Sequence, residues 1–95
     1  MFIVLLKFSS NKDQADRFME EHASWLSRGL ADNVFLLAGS LPSSLGGAIL
    51  AHNVSRSELS RRVNEDPFVR ENVVAPEIIE LAPSRADERL AFLLG

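Results

Sequence analysis

Apolar runs and helical stripes alternate along this chain in the order strand, helix, strand, strand, helix, strand, and that order leaves few ways to fold it. The first run, Phe2-Ile3-Val4-Leu5-Leu6-Lys7-Phe8, is rich in β-branched and aromatic residues and stops at Ser9-Ser10-Asn11. It is apolar on both faces, which predicts a strand that is central or covered twice. A helix follows. Ser10 or Asn11 can cap it, and Asp13 and Asp16 suit its positive end. Ala15, Phe18, Met19, Trp25, Leu26 and Leu30 recur at spacings of three and four, which is a helical stripe, and His22 sits in the middle of it. Gly29 or Asn33 is placed to end this helix.

Val34 to Leu41 reads as a second strand, with Val34, Leu36 and Ala38 on one side and Phe35, Leu37 and Leu41 on the other. Pro42-Ser43-Ser44 ends it, and Gly46-Gly47 leads into a third strand, Ala48-Ile49-Leu50-Ala51. The short, turn-rich link predicts an antiparallel hairpin. Ser55 and Glu58 form a capping box for a second helix, whose narrow apolar face is Leu59 and Val63 and which stops before Pro67. After Asp66-Pro67-Phe68-Val69 comes a polar link, Arg70-Glu71-Asn72. Val73-Val74 and Glu77-Ile78-Ile79-Glu80-Leu81 supply the last strand, with Pro76 at its near end. The order is that of the ferredoxin-like βαββαβ fold, an α+β class: a four-stranded antiparallel sheet with two helices on one face. The other sheet face is then open and apolar. Monomers rarely expose apolar patches beyond about a few hundred Å², so a second copy of the chain is expected to cover it. Residues 1–83 form this domain. The tail, 84–95, carries Leu90, Phe92, Leu93 and Leu94, and is expected to form a short helix packed on the domain or on the partner subunit.

Composition narrows the function classes. A chain of 95 residues makes one domain and buries roughly 60–65% of its unfolded surface, so a shared interface would add stability. The net charge is −3, and the only adjacent basic pair is Arg61-Arg62. Phosphate binding needs clustered cations, so nucleic acid is not an expected partner. Without cysteine there is no disulfide, thiolate or Cys-zinc chemistry. The first segment is too short for a signal peptide, and no run reaches the roughly 18 apolar residues of a membrane span. The expected location is the cytoplasm, away from any membrane.

Two polar residues stand where apolar ones belong. His22 on the helical stripe is either a half-buried histidine bonded to a backbone carbonyl or a group that moves protons, since a free imidazole titrates near pH ~6.5. Asp66 before Pro67 is either a turn starter or a carboxylate that orients His22 and stabilises its protonated form. Gly39 and Ser40 end the second strand, either as a simple terminus or as a pocket wall where Gly admits a ligand to the backbone and Ser offers a hydroxyl. Trp25 reads as core or as pocket lining, and Phe68 is a candidate for an apolar pocket lining. His52 reads as a solvent-facing loop residue. No carboxylate lies at metal-ligand spacing from either histidine, so no metal is expected. Ser40 lacks the Gly-x-Ser-x-Gly elbow of a hydrolase, and Gly46-Gly47 lacks the following helix of a dinucleotide site.

Taken together, Met1-Phe2-Ile3-Val4-Leu5-Leu6, His22-Ala23-Ser24-Trp25-Leu26, Ala38-Gly39-Ser40, Gly46-Gly47-Ala48-Ile49-Leu50 and Glu65-Asp66-Pro67-Phe68-Val69 resemble the YCII-related (YciI-like) family over residues 1–83. The resemblance implies a dimeric α+β barrel, two ferredoxin-like protomers paired through their sheets. It also implies a His–Asp active site, here His22 and Asp66, with no cofactor. Some relatives act on chlorinated aromatic compounds, and the wider superfamily holds isomerases and cofactor-free monooxygenases; its breadth also permits haem on His22, which no spacing here requires. The family often has Gly-Pro where this chain has Gly39-Ser40. The expectation is a small acid–base enzyme acting on an aromatic, chlorinated or lactone substrate, or else a non-catalytic ligand-binding domain.

Overall fold

Alternation along the first strand, β1 (Phe2–Phe8), divides the molecule into two sides: Phe2, Val4 and Leu6 are buried, while Ile3 and Leu5 are half-buried on the opposite face. The structure, a computed structural model, describes residues 1–94. The elements after β1 are helix α1 (Ala15–Ala31), strands β2 (Phe35–Ser40) and β3 (Gly46–Ala51), helix α2 (Arg56–Asn64), a one-turn helix α3 (Pro67–Arg70) and strand β4 (Val74–Glu80). The strands form one antiparallel sheet in the order β2-β3-β1-β4, the ferredoxin-like arrangement expected from the sequence. The core lies between the sheet and the helices, where Val4, Ile49 and Ala51 meet Trp25, Leu59, Val63 and Phe68.

Each helix shows how local sequence sets its limits. In α1 the buried line runs through Trp25 and Gly29, with Leu30 about half exposed at 47%. The expected place of Leu30 is thus taken by Gly29, because the Phe35 ring lies against the helix there: a Cβ on Gly29 would fall 2.0 Å from Phe35 Cδ2. The helix runs past this glycine to Ala31, and Asn33 turns the chain with a left-handed φ of 60°. No side chain caps α1. A 3₁₀ turn, Lys12–Gln14, leads into it, and Asn11 instead donates its amide to the Glu71 carbonyl at 2.7 Å. The Ser55 cap of α2 is as expected, accepting from the Glu58 amide at 3.2 Å.

The hairpin departs from simple alternation. The register between β2 and β3 shifts between Phe35 and Leu37, so Leu36 is an extra, bulged residue. Phe35 and Ala38 therefore both face the helices, opposite the buried Ala51 and Ile49, and Leu37 faces the open side opposite Leu50. Strand β3 starts earlier than expected, at Gly46, whose φ of +134° and 2.1 Å clearance to the Leu6 carbonyl oxygen admit only glycine. Pro76 lies inside β4, not at its end, and the strand tolerates it because β4 is an edge of the sheet.

The tail forms a 3₁₀ helix, Glu88–Leu93, capped by Asp87, while Gly95 lies outside the described residues. Phe92 sets its ring edge-on to His52 at 5.7 Å, so His52 is half-buried beneath the tail and not the solvent-facing loop residue expected. Among the described residues, no helix is long and apolar enough to cross a membrane.

Candidate active site

His22 and Asp66 come together because the junction between α2 and α3 lies against the middle of α1. On α1, His22 lies four residues after Phe18 and three before Trp25, so its ring projects toward the core side of the helix. Asp66 follows α2 and is the N-cap of α3, with Pro67 at the first helical position. Its backbone is extended, which aims the carboxylate back over the helix it starts.

His22 Nδ1 donates to Asp66 Oδ1 at 2.8 Å. The same oxygen accepts from the Phe68 amide at 3.0 Å, while Oδ2 is buried without a partner. The Asp66 side chain is 0% exposed and that of His22 only 13%. An ionised carboxylate can only accept, so the proton of this bond belongs to Nδ1, and Nε2 is left to meet whatever enters the space beside the ring. A carboxylate held this deep loses most of its hydration, and the histidine and the α3 amide replace part of it.

Aromatic packing fixes the imidazole. It stacks on the Phe68 ring at 4.0 Å, the planes 3° apart. Trp25 lies on a second side at 5.9 Å, itself anchored by donating Nε1 to the Arg62 carbonyl at 2.9 Å. The ring is thus fixed by one hydrogen bond and a face-to-face partner.

A cavity of about 310 Å³ opens against the His22 ring. His22, Gly39, Ser40 and Phe68 line it, as the sequence suggested. Trp25 does not: at 2% exposure it is core, closed off from the cavity by the histidine it supports. Gly39 contributes backbone, its Cβ direction falling on the open sheet face that it shares with Ala48 and Leu5. Phe8 and Met19 are also among the lining residues but were not singled out as site residues in the sequence. Met19 could have been found there, since it precedes His22 by three positions and shares its helix face. Phe8 could not, because only the sheet register places the end of β1 beside α1. Among the described residues no group of three or more histidines and carboxylates is placed to hold a metal.

Among solved structures, the chain is similar to 5-chloro-2-hydroxyhydroquinone dehydrochlorinase (TftG) from Burkholderia phenoliruptrix AC1100, in complex with 2,5-dihydroxybenzoquinone, with a TM-score of 0.69 and 14% identity over 85% of this chain and 93% of that one. The likeness shows the fold. No protein-family profile matches the chain, and no curated protein matches it.

Proposed function

We propose that this protein is a small, cofactor-independent acid–base enzyme of the YCII-related kind, working on a small organic molecule, with His22 moving the proton and Asp66 holding the imidazole. The observation that carries this reading is the 2.8 Å bond from His22 to a wholly buried Asp66, with Phe68 stacked on the ring and a cavity beside it. A buried carboxylate on Nδ1 selects the tautomer that presents a basic Nε2. When Nε2 takes a proton, the imidazolium stays paired with Asp66 and is stabilised. Positioned acid–base groups of this type contribute about 10²–10⁴-fold, enough for an isomerisation or elimination on an activated substrate. The fold neighbour is by name a dehydrochlorinase, and in a loss of HCl of the kind proposed here a proton would leave to His22, the electron pair would form a new π bond, and chloride would depart. A cavity near the small end of the usual range of roughly 300–1,000 Å³ suits a single ring.

In this reading the working form is a homodimer paired through the open sheet faces, as in a dimeric α+β barrel. Leu37 is 55% and Ile79 40% exposed on that face, beside the half-buried Ile3, Leu5 and Leu50. The cytoplasm is the proposed location.

The test is turnover of a panel of chlorinated and hydroxylated aromatics and lactones by the wild type, His22→Ala and Asp66→Asn. Loss of about 10²-fold or more in both variants supports the reading; equal turnover by all three removes His22 from the mechanism. One observation favours a second reading, in which the pair braces the fold of a ligand-binding domain: Asp66 Oδ1 also caps α3. Bracing predicts that His22→Ala unfolds well below the wild type and that no panel compound raises the melting temperature.

A further inference from the structure

The side-chain chemistry of the cavity wall is unusually sparse. Of all its lining residues only His22 and Ser40 carry a polar side chain, and none is a lysine, arginine, aspartate or glutamate. The remainder is aliphatic or aromatic, or, along the hairpin, glycine and alanine. Sheet register places Ser40 opposite Gly47, which is itself opposite Leu6. Leu6 is buried beneath the helices, so Ser40 shares the helix side of the sheet with the histidine. The two polar groups thus come from different layers, one from α1 and one from the end of β2, with apolar surface between them.

We propose that Ser40 is the specificity-determining residue of this cavity: together with His22 Nε2 it selects an uncharged single ring bearing two polar substituents, such as a benzenediol, over rings with one substituent or with a carboxylate. This rests on the acid–base reading of His22 and extends it to substrate class. One hydroxyl meets Nε2, where a proton can be exchanged. The other meets the serine hydroxyl, which can donate or accept and so serves either a phenol or a quinone oxygen. A ring with a single hydroxyl satisfies only one of these groups. A carboxylate meets no lysine or arginine on the wall and must approach His22 with the buried Asp66 directly behind it.

Calorimetric titration with phenol, catechol, resorcinol, hydroquinone and benzoate tests this in the wild type, Ser40→Ala, Ser40→Thr and His22→Leu. The wild type should bind at least one diol about tenfold more tightly than phenol, the scale of one well-made hydrogen bond, and benzoate most weakly. Ser40→Ala should bind that diol and phenol alike. Ser40→Thr, which keeps the hydroxyl, should restore the preference. His22→Leu should weaken every phenol. A diol preference that survives in Ser40→Ala overturns the role of Ser40 while leaving that of His22 intact. Unchanged binding by His22→Leu overturns the acid–base reading instead. Benzoate binding tighter than phenol overturns the uncharged class, and a wild type that binds none of the five overturns both proposals.

Discussion

Asp66 makes two hydrogen bonds through a single oxygen, one to the helix that follows it and one to a ring on a distant helix. Its two sequence readings, turn starter and histidine partner, were not alternatives, because a capping carboxylate still has lone pairs to spare. Asp66→Ala removes the cap and leaves His22 Nδ1 without its acceptor, so urea unfolding should show a loss of about 1–3 kcal/mol. His22 was legible because a polar residue interrupted an apolar stripe. Trp25, read as core or pocket lining and found to be core, shows the limit of that signal: pattern locates a residue on a face, but whether that face meets core or cavity depends on what packs against it. Leu30 shows this too, since the stripe included it and only the Phe35 ring against Gly29 moves burial one position back.

At the scale of elements, strands and helices followed the sequence closely, and the exceptions were long-range. Nothing local marks Leu36 as a bulge; the shift arises because Phe35 must face Trp25, which it meets edge-on at 5.1 Å, while the rest of β2 pairs with β3. That contact makes a prediction. Gly29→Ala drives a methyl group into the Phe35 ring, and thermal or denaturant unfolding should report about 1–3 kcal/mol of destabilisation. Gly46→Ala should cost at least as much, because its Cβ would strike the Leu6 carbonyl and its φ is unfavourable for alanine. In the tail, the Arg89 side chain and then its amide hold the Asp87 carboxyl below its ordinary range. A depressed carboxylate contributes above its unfolded value and ceases to as pH falls through the folded one. The Arg89 amide resonance should therefore move toward its disordered position on acidification into that lowered range.

For the molecule as a whole, β1 was recognised as apolar on both sides, and the structure shows what that means: one face is closed by helices and the other is left bare. Light scattering at micromolar concentration should give about twice the 10.5 kDa chain mass, and Leu50→Lys, at the middle of the bare face, should return the monomer by placing a charge where the two sheets meet. The excess of apolar surface in the sequence is what leads to the expectation of a partner. The sequence offered a pocket wall at Gly39 and Ser40 but not the cavity's full outline, which arises because β1, β2, β3, α1 and α3 converge from distant parts of the chain.

Pro76 carries a consequence for how the protein behaves when crowded. It sits in the outermost strand at a point where the main chain offers no N–H, and β4 still pairs fully with β1 on its inner side. A stray strand adding to the outer rim would find its ladder broken midway. At its β4 rim the molecule thus resists growing by strand addition into fibres.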